Sequence, residues 1–577
     1  MNYKTPGVYV EEETKFPPSV AQVETAIPAF IGYTAAGQKN KPMRITSMLE
    51  YEESFGKANP ETFAVDFKDG VATAMQTKVN DFKMYYAMQM YFANGGGPCY
   101  IISVGGYDAK VAVESTTSTE TLSYGLELLK KEDEPTLIVF PDLQGLVPAE
   151  ADVAAVTAAA KLAEANKDLA THAEAAAKTV ADAANIEAPT TVKDVVDAVV
   201  AKANTYVVTD ANIAKQVAQA QAAQAVVNAV KVAATPSNAT VGDVKIAASA
   251  AAFIYNKNLK TAETVAKNAG DVKTEVLDRA GDAVTIDKAY SVYNKALDQA
   301  ELLKDRFVIM DVLGDAAAFR DGVVSTGLQY GAAYYPKLNT VLSYDFKELD
   351  VLVTGAGDVR TLSELKSKNS ELYNQAKKAI ESKQVILAPS SAIAGMYAKV
   401  DSTSGVWKSP ANLGLNLVES PTVKLSTKDQ DLLNVDPSTG KSINAIRAFA
   451  GKGTLVWGAR TLDGNSNEWR YISVRRLFNM VEESVKKATE RFVFEPNTAN
   501  TWVRVQSMIE NFLDQQWRDG ALAGSKPEEA FYVSVGLHKT MSAQDILEGR
   551  MNIEIGIAAV RPAEFIVLRF SHKLQEA

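Results

Sequence analysis

Between Ala151 and Ala300 the chain carries 44 alanines, a single arginine (Arg279), and no tryptophan, methionine or cysteine. Alanine at that density, interleaved with Lys, Glu and Gln, commits the stretch to helix, because these side chains lose little freedom there. Val192, Val195, Val196, Val199 and Val200 fall at i, i+3, i+4, i+7 and i+8, one face of a helix. Thr191-Val192-Lys193-Asp194 reads as the capped start of that helix. Thr240-Val241-Gly242-Asp243 repeats the pattern 49 residues later, and each follows a proline, Pro189 or Pro236, that ends an alanine-rich run. A duplicated helical hairpin is the expectation.

The flanks differ. Residues 136–141 read as a buried strand, 289–304 as a helix and 306–312 as another strand. Together they form a βαβ unit once the intervening residues are treated as an insertion. The expected organisation is therefore an arm at 1–25, an α/β domain from 26–145 and 287–384, and a surface-exposed helical domain inserted at 146–286. A last domain follows at 385–577. The class is mixed α/β (α+β), multidomain.

Sixty Lys and Arg against seventy Asp and Glu give a net charge of −10, which argues against nucleic acid as a partner. One cysteine, Cys99, excludes an internal disulfide framework and a multi-cysteine metal site. His172, His538 and His572 are too scattered to suggest a metal centre. No apolar run reaches the roughly 18–20 residues that span a bilayer, and the first thirteen residues have no apolar signal core. Cytoplasmic folding without membrane insertion is the expectation, with export by another route left open.

Candidate chemistry is sparse. Asn94-Gly95-Gly96-Gly97 follows a helix and precedes a strand, the reverse of a phosphate cradle, so these glycines read as a helix cap. Gly355-Ala356-Gly357-Asp358-Val359-Arg360 has the right order for a dinucleotide loop, but Arg360 stands where close packing demands the third glycine. Cys99 reads as a small buried hydrophobe. No catalytic, metal-binding or cofactor-binding residues emerge, and no cofactor is expected.

Eleven of the sixteen arginines and four of the five tryptophans lie in residues 441–577. These types dominate binding hot spots, so this quarter is expected to make the contacts. Within it, 472–492 reads as a helix with Val474, Leu477, Val481, Val485, Ala488 and Phe492 on its apolar face. Glu482–Lys486 and Glu483–Lys487 are expected as ion pairs on the other face. A second helix starts near Asn500, with Trp502, Val505, Ile509 and Phe512 inward and Gly520 as its stop. Residues 531–537 and 551–557 alternate as strands, and Pro562 precedes a final apolar run at 565–570.

At the other end, Pro6-Gly7 leads into Val8-Tyr9-Val10-Glu11, a short strand held off by the stiff spacer Lys15-Phe16-Pro17-Pro18. Such a strand must pair with a sheet edge, either its own or a neighbour's.

Pro6-Gly7-Val8-Tyr9-Val10-Glu11-Glu12 resembles the opening of contractile tail sheath proteins of phages and related injection systems. Further stretches resemble the same family in order: 388–397, Asp401 with 405–412, 453–462, 471–477, 493–497 and 561–566. The insertion has no counterpart in the minimal pattern. The resemblance implies a tail-sheath-like fold whose subunits form hexameric rings stacked helically around an inner tube and contract without nucleotide. Val8, Tyr9, Val10 and Glu11, and Phe565, Ile566, Val567 and Leu568, would be woven into neighbouring subunits' sheets. The C-terminal domain would lie innermost, with Arg504, Arg518 and Lys526 facing the tube. Implied partners are other copies, the inner tube, baseplate and terminal cap proteins, and related sheath paralogues, within a phage tail or released particle. The alternatives are a nucleotide-binding α/β enzyme and a static surface-layer or capsid-like lattice protein.

Overall fold

The computed structural model describes residues 20–565 apart from 69, 79, 148, 149, 188, 190, 207, 209–213, 282, 357 and 358. Its centre is a nine-stranded sheet. Six strands run parallel, in spatial order Ile443–Phe449, Gly331–Tyr335, Phe307–Asp311, Leu137–Val139, Pro28–Tyr33 and Cys99–Gly105. Antiparallel strands close both sides: Gly453–Val456 with Leu413–Gly414 at one, Met43–Ile45 at the other. Parallel strands covered on both faces read as continuous apolar runs, and Pro28–Tyr33 and Phe307–Asp311 are buried along their whole length.

Alternate side chains of these strands enter two cores. Ile31, Ile102 and Val308 meet Tyr290, Tyr293 and Leu297 of helix Ala283–Leu303 on one face. Phe30, Ile101 and Ile309 meet Met88 and Tyr91 of helix Met84–Ala93 and Tyr397 of helix Ser390–Ser404 on the other. The strand, helix and strand read across the alanine-rich stretch are here, with Leu137–Val139 and Phe307–Asp311 parallel neighbours. Strand Ile443–Phe449 joins the same sheet beside Gly331–Tyr335, so residues on both sides of 384/385 share one core.

Two fully buried carboxylates sit at helix starts. Asp142 accepts from the backbone N–H of Tyr33 (2.6 Å), Lys83 and Met84 (2.9 Å) at the start of Met84–Ala93. Asp311 accepts from Ser390 N (2.8 Å) and Oγ (2.6 Å) at the start of Ser390–Ser404. The positive helix ends favour the carboxylates. Burial opposes this and pushes both groups up to about 6.

The insertion contains helices Glu150–Asp182, Val192–Ala203, Ala214–Ala233 and Val241–Gly281. Thr191 caps its helix as read, exchanging hydrogen bonds with Asp194, and Thr240 does the same with Asp243. Val195 and Val199 are buried against Val226, Val230 and Val244 in a separate bundle core. The longest helix spans about 60 Å at 1.5 Å per residue. Nearer the body, Ala163, Val265, Ala266 and Ala269 pack on Ala64 and Met75 of a three-stranded sheet, Leu352–Thr354, Thr62–Lys68 and Val71–Lys78. Helices Leu362–Lys368 and Ser370–Glu381 cover the opposite face of that sheet.

The glycine motifs are structural. Gly95 (φ +100°) and Gly96 end helix Met84–Ala93 by returning N–H groups to Phe92 (3.3 Å) and Tyr91 (3.0 Å). Gly355 has φ +75°, and a Cβ there would fall 2.1 Å from the Phe67 carbonyl oxygen. The buried Arg360 guanidinium donates to the carbonyls of Val359 (2.8 Å) and Ile254 (3.1 Å), so it ties the insertion down. Cys99 is buried and free, and burial pushes its thiol up.

Candidate functional site at the roots of the two chain ends

The C-terminal region is built on helices Ile472–Thr489 and Ala499–Arg518. Leu477, Met480, Val481, Val505, Met508, Ile509 and Leu513 form its core. Gly520 (φ +87°) stops the second helix as read, its N–H returning to Trp517 while that of Ala521 returns to Gln516. On the polar face of the first helix, Lys486 and Lys487 both turn to Glu483. Glu482 pairs instead with Arg475 at 2.9 Å, because that guanidinium is held over the Trp469 ring and directed toward it.

The described chain enters this region at residue 20. Val20 is buried in the two-helix core, and Val23 N donates to Ser484 Oγ at 3.1 Å. Beside it Arg476 reaches Asp401, Nη1 to Oδ1 at 3.0 Å, with both side chains buried. Thr25 closes the group. Its Oγ1 donates to Asp401 Oδ2 (2.6 Å) and its carbonyl accepts from Arg476 Nη2 (2.8 Å). The guanidinium lies 4.6 Å over the Tyr397 ring, whose hydroxyl is 2.7 Å from that of Tyr334 in the central sheet. A polar chain thus runs from the sheet to the root of the N-terminal end.

A matching device stands near the other limit of the described residues. Arg460 is 4% exposed and grips Glu564 with two groups, Nε to Oε1 at 3.0 Å and Nη2 to Oε2 at 2.7 Å. Asn434 Nδ2 (2.9 Å) and Tyr471 OH (3.3 Å) donate to the same carboxylate. Burial raises the Glu564 carboxyl, but the Arg460 and Asn434 hydrogen bonds outweigh it and hold the group below the usual glutamate range. The Arg460 backbone is fixed by Asn444 of strand Ile443–Phe449, through hydrogen bonds of 2.8 Å in both directions.

In the same region, Phe531–Val535 and Ile553–Ile557 pair antiparallel, with Tyr532 opposite Gly556. Val533, Ile553, Ile555 and Ile557 pack toward the helices. Tyr532 turns outward, 54% exposed, and its hydroxyl donates to Glu554 at 2.8 Å. Among the described residues neither outer edge of this pair carries a further strand. Two strands alone are marginal, and an unpaired edge is a template for another strand.

Of the residues singled out from sequence, Val8, Tyr9, Val10, Glu11, Ile566, Val567 and Leu568 lie outside the described residues. Phe565 is described and exposed. Arg504 and Arg518 are exposed on one helix, each already paired, with Glu495 (2.9 Å) and Asp514 (2.7 Å). Lys526 is exposed at the start of a one-turn helix, Pro527–Ala530. Arg460, Asp401, Arg476 and Glu564 sit within the stretches that carried the resemblance, but their pairing was not read from them. The arginine excess had pointed to contacts with partners, whereas Arg460, Arg475 and Arg476 are buried and spend their charge inside the chain. Among the described residues no group of acidic, His and Cys side chains has the form of a metal site, and no helix is long and apolar enough to cross a membrane.

Ion pairs thus hold the first and last stretches of the described chain, and the two-stranded sheet of this region keeps open edges among the described residues. Residues 465–573 match the phage tail sheath C-terminal domain family. The tail sheath protein of Vibrio phage KVP40 is 31% identical over 121 residues, 21% of this chain and 18% of that protein. The chain thus matches less than a fifth of that relative's length. Over whole chains, a subunit of the anti-feeding prophage baseplate covers 99% of this chain and 100% of its own at 25% identity and TM-score 0.53. The anti-feeding prophage helical sheath in the contracted state gives the same coverage at 25% identity and TM-score 0.52. Residues 465–573 thus carry the phage tail sheath C-terminal domain, and over its whole length the chain is similar in fold to contractile sheath subunits.

Proposed function

We propose that this chain polymerises as hexameric rings stacked helically around an inner tube and contracts to drive that tube through a target envelope. The observation that carries the reading is the open-edged pair Phe531–Val535 and Ile553–Ile557, together with the ion pairs Arg476–Asp401 and Arg460–Glu564 near the two limits of the described chain. In sequence, residues 1–19 precede and 566–577 follow these ion pairs, and strands from them would complete the sheets of adjacent copies. Clamped roots keep each strand tied to its own subunit while copies shift past one another. The stored energy then lies in a kinetically trapped extended lattice, and no nucleotide is required.

The partners in this reading are other copies, the inner tube, the baseplate, a terminal cap and related sheath subunits. Assembly takes place in the cytoplasm of the producing cell, and the insertion decorates the outer surface. Arg504, Arg518 and Lys526 face the tube; as exposed groups they suit a contact that must slip, since exposed pairs are worth only about 0–1 kcal/mol. The test is deletion of residues 1–13. A folded, soluble subunit that no longer polymerises is expected, and long tubes from the truncated chain in negative-stain images overturn the strand-weaving role.

A further inference from the structure

The turn between helices Ile472–Thr489 and Ala499–Arg518 presents a phenylalanine entirely to solvent. Phe494 is 102% exposed and its neighbour Val493 61%, whereas Phe492 is buried in the helix core. Phe494 also has φ +71°, a left-handed conformation that bulky L-residues avoid.

The turn is hydrogen-bonded on both sides of Phe494. Val493 N and Glu495 N donate to the carbonyls of Glu490 (3.1 Å) and Phe492 (3.0 Å). Glu495 pairs with Arg504 at 2.9 Å, and Thr501 Oγ1 donates to the Pro496 carbonyl at 2.8 Å. Asn497 accepts from Trp502 Nε1 at 2.6 Å and donates to the Arg550 carbonyl at 2.9 Å. An unfavoured backbone and a bare aromatic ring are thus maintained together, and neither is compensated within the described chain. A strained position that its surroundings over-determine points to a role.

We infer that Phe494, with Val493, is a preformed apolar knob that seats on a second copy of this chain. The inference rests on the sheath reading above. The bond from Asn497 to Arg550 makes the knob rigidly continuous with the segment entering Ile553–Ile557, the sheet proposed to receive strands from adjacent copies. An apolar side chain presented on a bonded turn suits a contact that persists, and a sliding tube surface calls for weak polar pairs instead. Copies stacked head to tail meet through different faces, so knob and seat need not coincide on one subunit.

The test uses Phe494→Asn and Phe494→Asp in the full chain. Asparagine tolerates the left-handed backbone, so Phe494→Asn is expected to leave the folded subunit as stable as the original or more so. Both substitutions are expected to raise the concentration needed for polymerisation about tenfold or more. Those opposite movements separate a contact from a structural role, which would weaken folding and assembly together. Polymerisation of both variants at the original concentration overturns the knob and leaves the sheath reading standing. A defect confined to growth along the tube, with tube-free polymerisation unchanged, gives Phe494 to the tube and also overturns it. An unmodified chain that never polymerises removes the sheath reading and the knob with it.

Discussion

Arg460 and Glu564 are 104 residues apart in sequence, and the buried guanidinium of one holds the carboxylate of the other through two hydrogen bonds of 2.7 and 3.0 Å. The pair holds Glu564, next to the last described residue, against the body of the chain. Glu564→Gln keeps the size but removes the charge and leaves Arg460 buried without its counterion. Urea unfolding is expected to show a loss of about 1.5–3 kcal/mol, the range for hydrogen bonds to charged groups. Sheath assembly is expected to fall further than that stability loss explains, because the exchanged strand would start from a loosened root.

Arg476 and Asp401 act at the other root, with both side chains almost fully enclosed. Asp401→Ala leaves a buried guanidinium uncompensated, at a cost of about 3–5 kcal/mol. Replacing both at once, Arg476→Met with Asp401→Leu, is expected to recover much of this loss in a double-mutant cycle. Recovery of stability without recovery of polymer is the expected pattern if Thr25 must be held for the N-terminal end to reach its neighbour.

Acid has opposite effects on two carboxylates. Asp311 stands at about 6 in the folded chain against 3.8 for a free aspartate, so between those values the folded state binds the extra proton. Stability from this group is present below about 3.8 and is lost as pH rises through about 6, by up to ~3 kcal/mol at 1.36 kcal/mol per unit. Glu564 is lowered, so its contribution is present above the unfolded value and is lost as pH falls through the folded one. Unfolding free energies of Asp311→Asn across pH 4–7 are expected to vary less than those of the unmodified chain between about 4 and 6.

Reversing charge at Arg504, Arg518 and Lys526 together is expected to leave the subunit folded, since exposed pairs such as Arg504–Glu495 and Arg518–Asp514 are worth about 0–1 kcal/mol each. Under the tube-facing reading, rings still stack but growth along the tube stops. Electron micrographs showing normally sheathed tubes would remove these residues from that role.

The helices, strands and their local ends were legible in the sequence because each is set by neighbours within a few residues. Alanine density marked the insertion as helical, threonine and aspartate three apart marked the starts of two of its helices, and Gly95 and Gly520 marked two stops. Period-two alternation gave strands at 531–537 and 551–557; their pairing, as Phe531–Val535 with Ile553–Ile557, came from the structure. Only the tertiary structure decided what those elements meet. Strand Ile443–Phe449 crosses into the central sheet, and Glu482 turns to Arg475 instead of Lys486. Arg476 and Arg460 find carboxylates 75 and 104 residues away. An arginine in a sequence carries only its charge and its reach. Whether it is spent on a partner or inside the chain depends on which carboxylate the fold encloses with it, because a buried guanidinium is tolerable only when paired.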